Sequence, residues 1–445
     1  MIGPFPWDPF PPGEPDPKGP DPIHAIAYRA AVTGADAYHS VRLALRRELG
    51  VLRLGNRFVP DGRFREVAFL ALGNAANSMA LAALHVLGDR LTQGYIAGPE
   101  PVAPELPFRG RRVAPGWGGA AVAVEVVAAA SEIVAGLRES DLLLVLLSPG
   151  AVRGLARPPI GLSADDFGSL LERAHTAGAS GRECGLLARV LGSGAVGGRL
   201  LPVPPRGEVA TLIVDRGDSP ALVGGGPLYP IRPDERVEAR SALERVGLAA
   251  EVSRIPGASD ALSPSGDAAA VPRNPSRALW VANPSDALRP AADAVFEKGW
   301  TVRLAFLRLE ARPEEAADRF LARTEELLRA EPLDVRTKGL ATLAMTTLDL
   351  PEGPDEGPAF QEFLVRANAG IRRREMSVGL FRTGGTVGAP EFPGGAVMGA
   401  PTDRDAKVPP GRARAVAMRS GITDVGLLAV ALCPSAEPEP RSTAR

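Results

Sequence analysis

Residues Asp141 to Gly150 read DLLLVLLSPG, with six consecutive apolar residues, Leu142 to Leu147, running into Ser148-Pro149-Gly150. An amphipathic helix or a half-exposed strand would break such a run with polar residues. A strand buried on both faces does not, and strands of that kind belong to parallel sheets covered by helices. The turn at the carboxyl end of such a strand is where open α/β sheets hold their ligands. The run therefore sets an expectation of fold and of site together.

Other segments follow the same alternation. His24 to Leu49 has helical spacing, with Ala, Val and Leu on one side and Arg29, Arg42, Arg46 and Arg47 on the other. Val67 to Leu72 reads as a short strand, Gly73 as its exit, and AANSMALAALHVLGDRL as the helix after it. Val122 to Arg138 reads as a helix, as does Asp165 to Ala177 behind the N-cap Ser163. Ala210 to Val214, Ala278 to Val281 and Val302 to Leu307 read as strands, with the helix Ser285 to Lys298 between the last two. The expected fold class is α/β: a doubly wound, mostly parallel sheet domain with a second, smaller α/β domain.

A chain of 445 residues exceeds one ordinary core, so two units are the default. Residues 1–22 carry nine prolines and are expected to form an extended or disordered arm. Residues 23–331 form the expected first unit, with a loop at 253–276. Residues 332–433 form the second, and 434–445 a disordered tail.

Formal net charge is −1 and aromatics are 5% of residues, which leaves neither an electrostatic footprint nor stacking platforms for nucleic acid. No apolar stretch approaches the roughly 20 residues that span a membrane, and the start of the chain does not read as a signal peptide. Cys184 and Cys433 lie far apart and form no metal-ligand set, so a reducing cytoplasm is the simplest location. His24, His39, His85 and His175 show no metal spacing. The chain has four lysines, Lys18, Lys298, Lys338 and Lys407, so any mechanism that needs one has few candidates.

Four segments carry candidate chemistry. In Leu70 to Ala76, strand, Gly73 and helix make a phosphate-loop geometry, although most such turns are only turns. Ser148 to Arg153 places Arg153 where it can clamp a carboxylate or phosphate; a solvated arginine at a tight strand exit weighs equally. Arg189 to Arg199, with four glycines, reads as an anion nest or, more simply, a glycine-rich surface loop. Val214-Asp215-Arg216-Gly217-Asp218 puts carboxylates at a strand's carboxyl end, where they suit magnesium or general-base work, or a polar turn.

Taken in order, these segments resemble the type 2 glycerate kinases, which have an N-terminal glycerate-kinase domain and a C-terminal MOFRL domain. The resemblance covers roughly residues 24–430. VAFLALGNAA is similar to the family's strand followed by Gly-Lys-Ala. Asp141 to Leu155 is similar to its apolar strand ending in Ser-Gly-Gly-x-Ser-Ala-Leu, and Arg189 to Leu200 to Arg-x-x-x-Ser-x-x-Lys-Gly-Gly-x-Leu. Leu212 to Asp218 resembles Leu-Ile-x-Ser-Asp-Val-x-Gly-Asp. Gly226-Pro227, Ala282-Asn283 and Gly421 to Val425 also fit.

The resemblance implies ATP- and Mg2+-dependent phosphorylation of the 2-hydroxyl of D-glycerate in a cleft between two α/β domains. It makes Arg189 and Asp215 the catalytic candidates. Gly73, Asn74, Ser148, Gly150, Ser193, Gly197, Gly198, Gly217 and Asp218 become candidates for substrate or phosphate, with Arg153 added from its position alone. A hydroxy acid and a nucleotide are the expected small-molecule partners, and a homo-oligomer is compatible with the pattern.

Several motif positions depart from the family. Asn74 and Val196 stand where it has lysine, Leu186 where it has asparagine, Val214 where it has serine, and Pro149 where a glycine would offer an N–H. In the C-terminal part Leu343-Ala344-Met345 replaces Gly-Gly-Glu, Gly357 to Glu362 replaces Gly-Gly-Arg-Asn-Gln-Glu, and Thr383 to Gly388 replaces Thr-Asp-Gly-Ile-Asp-Gly. Phosphoryl transfer relies on positioning and charge stabilisation, and losing one such contact costs about a hundredfold or more in rate. Weak or lost catalysis is therefore expected; the alternative is a member that uses the fold only to bind a small molecule or a protein.

Overall fold

The computed structural model describes residues 22–113, 120–200, 207–215, 222–264, 277–330, 337–348, 357–371, 376–382, 396–398 and 427–434. The proline-rich arm before Pro22, the tail after Pro434, residues 265–276, Gly217, Asp218, Thr383 to Gly388 and Gly421 to Val425 lie outside them.

The chain opens with helices α1 (Pro22–Gly34) and α2 (Ala37–Ala44), followed by the antiparallel strands β1 (Leu45–Glu48), β2 (Val51–Leu54) and β3 (Arg57–Pro60). The single helix expected over His24 to Leu49 is thus two helices and a strand. Asp36 ends the first by capping the second, its carboxylate accepting the His39 N–H, and from Leu45 onward the backbone pairs with β2 instead.

Next come β4 (Val67–Leu72), α3 (Ala76–Leu87), β5 (Leu91–Gly98), β6 (Arg109–Arg112), α4 (Ala120–Gly136) and β7 (Leu142–Leu147). Then follow α5 (Ala151–Leu155), β8 (Ala156–Arg157), α6 (Ala164–Thr176), α7 (Gly181–Leu191), β9 (Ser193–Gly194), β10 (Glu208–Val214) and α8 (Pro233–Arg245). Ser163 caps α6 as expected, accepting the Asp166 N–H. After the short helices α9 (Ala249–Val252) and α10 (Ala258–Ala261) come β11 (Arg277–Ala282), α11 (Pro284–Phe296), β12 (Thr301–Ala311), α12 (Pro313–Ala330) and β13 (Gly339–Leu348). The chain closes with α13 (Gly357–Gly370), β14 (Ser377–Arg382), β15 (Ala396–Met398) and β16 (Leu427–Pro434).

Six strands form one sheet in the order β11-β10-β7-β4-β5-β6, and every pairing in it is parallel. From β4 the chain moves outward to β5 and β6, then returns to place β7 on the other side of β4. The winding reverses between β4 and β7, and their carboxyl ends therefore flank a topological switch point, the place where doubly wound sheets bind ligands.

Both central strands are buried on both faces. Val67, Phe69 and Ala71 join Leu142, Leu144 and Leu146 in one core, while Ala68, Leu70 and Leu72 join Leu143, Val145 and Leu147 in the other. That is why the run at 142–147 carries no alternation. Each leucine there is wholly out of solvent, and burying such a side chain contributes about 1.5–3 kcal/mol.

The second sheet runs β12-β13-β16-β14-β15. Its first strand is β12, which the sequence grouped with the first unit. It is parallel to β13, whereas β16 and β14 are antiparallel to their neighbours. One face of this sheet, through Leu343, Met345, Leu428 and Val430, shares a core with α1, α11 and the first sheet. The other packs on α12 and α13 through Phe320 and Phe363. Among the described residues no helix is long and apolar enough to cross a membrane.

Candidate functional site

The β4–α3 turn is built by contact. Gly73 has φ +108°, and a side chain there would overlap the carbonyl oxygen of Ser148, so only glycine fits. Four successive amides of the turn have acceptors within the protein. Gly73 donates to Ala97 O, Asn74 to Pro149 O at 2.8 Å, Ala75 to the Ser148 hydroxyl at 3.0 Å, and Ala76 to Gly73 O. Amides at the start of a helix are what would cradle a phosphate. Here the first three tie the turn to β5 and to the end of β7, and the fourth closes the turn on itself.

Ser148 is the partner that closes this turn. It is fully buried, its N–H donates to Leu72 O, and its hydroxyl donates to the same carbonyl while accepting from Ala75. Gly150, at φ +84°, starts α5, and the Asn74 side chain lies over it. Arg153, on α5, lines a crevice with Gly73, Asn74, Gly98, Gly150 and Gly154. The crevice sits at the switch point and is shallow, with a volume of about 10 Å3. Five of the expected residues are thereby brought together: Gly73, Asn74, Ser148, Gly150 and Arg153. Gly98 was missed by sequence. A side chain on it would come within 2.8 Å of Gly73 O, a constraint carried by β5, whose residues LTQGYIAG look like the continuation of α3 into a turn.

The Arg189 segment stands behind this crevice. Arg189 is wholly buried. Its guanidinium donates to the carbonyls of Gly225, Gly226, Tyr229 and Pro230 and pairs with Glu235 at 3.1 Å. Burial pulls its ionisation downward, and Glu235 opposes that. In this arrangement the arginine holds the 225–230 loop. The amides of Gly197 and Gly198 donate to Gly225 O and Gly226 O, and Leu200 N to Pro227 O. The glycines that suggested an anion nest therefore spend those N–H groups on the same loop. Val196 is buried, its methyl 2.9 Å from where a Gly225 side chain would begin. Ser193 donates to Pro158 O beside the antiparallel β8–β9 pair. Glu235, Gly224 and Gly225 escaped sequence reasoning, which singled out Gly226 alone; the triple glycine was the visible signal.

Asp215 follows β10 directly, nearly buried, with its N–H on Ala282 O. It shares the carboxyl edge of the sheet with Ser148, since Ile213 lies opposite Leu147. Gly217 and Asp218 lie outside the described residues. Mg2+ takes one or two carboxylates plus substrate phosphates, and Asp215 suits that by place and chemistry. A triphosphate fits less well, because the amides of Gly73 to Ala76 are already bonded and Asn74 brings no charge.

The family described as a domain of unknown function (DUF4147) matches residues 24–255, more than half of the chain, and the chain belongs to it. That domain is the N-terminal domain of type 2 glycerate kinases. The PH0495 protein from Pyrococcus horikoshii OT3 is similar in structure, with TM-score 0.66 and 18% identity over 93% of this chain and 98% of that one. A glycerate kinase from Thermotoga maritima (tm1585) is similar to the same degree, TM-score 0.66 and 18% identity over 92% of this chain and 98% of that one. No curated protein matches the sequence. The α/β fold with its parallel sheet and smaller second sheet is thus shared with glycerate kinase folds.

Proposed function

We propose that this chain is a glycerate-kinase-like protein whose phosphoryl transfer from ATP to a 2-hydroxy acid is weak or lost. The observation that carries this reading is the closed β4–α3 turn: four amides committed to Ala97, Pro149, Ser148 and Gly73, with asparagine where the related motif has lysine. Fixed donors and cations aimed at developing charge supply most of the rate in such reactions, and both are depleted here. The crevice is also small, about 10 Å3, roughly the room of one water against the ~300–1,000 Å3 of sites that enclose drug-sized ligands. It has no room for a nucleotide as it stands, and even a compact carboxylate held by Arg153 would need it to open. Asp215 is the residue assigned to Mg2+ or general-base work if turnover persists, and Arg189 the residue assigned to positioning the loop. Cys184 and Cys433 are both buried and unbridged, which supports a cytoplasmic setting.

A coupled ADP-release assay with D-glycerate, ATP and Mg2+ tests the reading. Turnover on the order of 1 per second or more would overturn it. A melting-temperature series keeps the ligand question separate, since whatever binds only the folded state raises the melting point. A rise with D-glycerate but not with ATP–Mg2+ is the expected pattern.

A further inference from the structure

A second cavity lies at the opposite end of β5. Strand β6 pairs only with Tyr95 to Gly98, so the outer edge of β5 before Tyr95 is not taken by β6. Pro107 stands just ahead of β6 and has no N–H with which to extend the ladder. The gap is walled by Gln93, Gly94, Phe108, Arg109, Glu132 and Ile133, with a volume of about 180 Å3. That is below the ~300–1,000 Å3 of drug-sized sites, so the occupant must be a small molecule.

The walls are fixed by packing. A side chain at Gly94 would overlap the ring of Phe69. Phe69 in turn meets Phe108 edge to face, with centroids 4.8 Å apart. Ile133 is almost wholly buried. At the rim Arg109 and Glu132 face each other at 3.4 Å, both largely exposed. An exposed pair of this kind is worth ~0–1 kcal/mol, so a ligand that satisfies both charges displaces it at little cost.

We propose that this cavity binds a free α-amino acid with an apolar side chain. Its carboxylate would lie on Arg109, its ammonium on Glu132, and its side chain against Phe108 and Ile133. The opposed charges select for this class. A simple anion would meet Glu132, a simple cation would meet Arg109, and an uncharged apolar molecule would gain nothing from either charge while taking water from the pair they form. Only a ligand carrying both charges a few ångströms apart matches the rim. Strand β5 runs from this cavity to the crevice, where Ala97 and Gly98 form part of the wall. The inference is independent of whether the crevice supports catalysis.

Calorimetry and melting curves on the full chain test it with L-leucine as probe. The controls are 4-methylpentanoate, the same skeleton without the amine, and 3-methylbutylamine, which lacks the carboxylate. Saturable binding and a raised melting temperature are expected with L-leucine and not with either control. Arg109→Gln and Glu132→Gln should each weaken binding at least about tenfold, the loss of one charge-assisted hydrogen bond, while leaving the unliganded melting temperature unchanged. Phe108→Ala is a third variant, directed at the apolar wall. The absence of binding at millimolar L-leucine would overturn the proposal, as would equal binding of the controls or full affinity in both charge variants.

Discussion

The guanidinium of Arg189 and the carboxylate of Glu235 meet at 3.1 Å with both side chains essentially out of solvent. The same arginine also serves four backbone carbonyls in Gly225 to Pro230. Removing one partner of a buried pair leaves the other uncompensated, which costs about 3–5 kcal/mol. Arg189→Met should lower the urea midpoint accordingly, and Arg189→Lys should recover little, because an ammonium cannot span the carbonyls that the planar fork reaches. Wild-type stability in Arg189→Met would refute the loop-holding role.

The β4–α3 turn yields a second prediction. Gly73→Ala forces a side chain into backbone at φ +108° and should cost about 1–3 kcal/mol from conformation alone, with overlap adding to it. Ser148→Ala leaves the Ala75 N–H without its acceptor, at about 1–3 kcal/mol. Both are read from thermal melts. A Gly73→Ala protein as stable as wild type would mean the turn is built differently.

Asn74 and Val196 occupy the two positions where the related motifs carry lysine, and the structure separates them. Asn74 is partly exposed at the crevice, whereas Val196 is fully buried in the core beside Gly225. Asn74→Lys should tighten phosphate binding by calorimetry, on the order of tenfold for one added charge-assisted contact. Val196→Lys should destabilise by about 3–5 kcal/mol as an unpaired buried charge. Equal tolerance of both would show that the second position opens to solvent.

His24 gives a pH dependence. Its imidazole is fully buried beside the Ser377 hydroxyl, and burial pushes it down to about 3, against about 6.5 in an unfolded chain. Below pH 6.5 the unfolded state takes up a proton that the folded state refuses. The stabilising contribution is therefore complete above 6.5 and is lost as pH falls towards 3. By pH 5 the loss is about 2 kcal/mol. His24→Gln should flatten the stability profile between pH 7 and 5, as measured by urea midpoints. An unchanged slope in the variant would rule this group out as its source.

Sequence conveyed the central strands because β4 and β7 are buried on both faces, and continuous apolar runs have few other uses. It missed β5, where Gly94 yields its volume to Phe69 and Thr92 and Gln93 break the apolar pattern, so that local composition mimics a turn. It missed β1 as well, because Leu45 to Glu48 keeps the spacing of the helix before it and only pairing with β2 decides its state. At the site, Gly73, Ser148 and Gly150 were legible because strand exits announce themselves. The inward turn of Arg189 was not, since a guanidinium suited to a phosphate is equally suited to a cluster of carbonyls, and the loop supplying them lies some forty residues away in sequence.

Helix α1 packs against α11 and contributes to a core that also contains Leu428 and Val430 of β16, and its His24 bonds a residue 353 positions later. The earliest helix described therefore lacks its main apolar partner until α11 has been made, and its last one until β16 has left the ribosome. Contacts of such sequence separation slow folding and leave apolar surface uncovered meanwhile. During synthesis this chain should depend on a chaperone to shield α1, and C-terminal truncations that remove β16 should come down in the insoluble fraction even though the six-stranded sheet is complete without it.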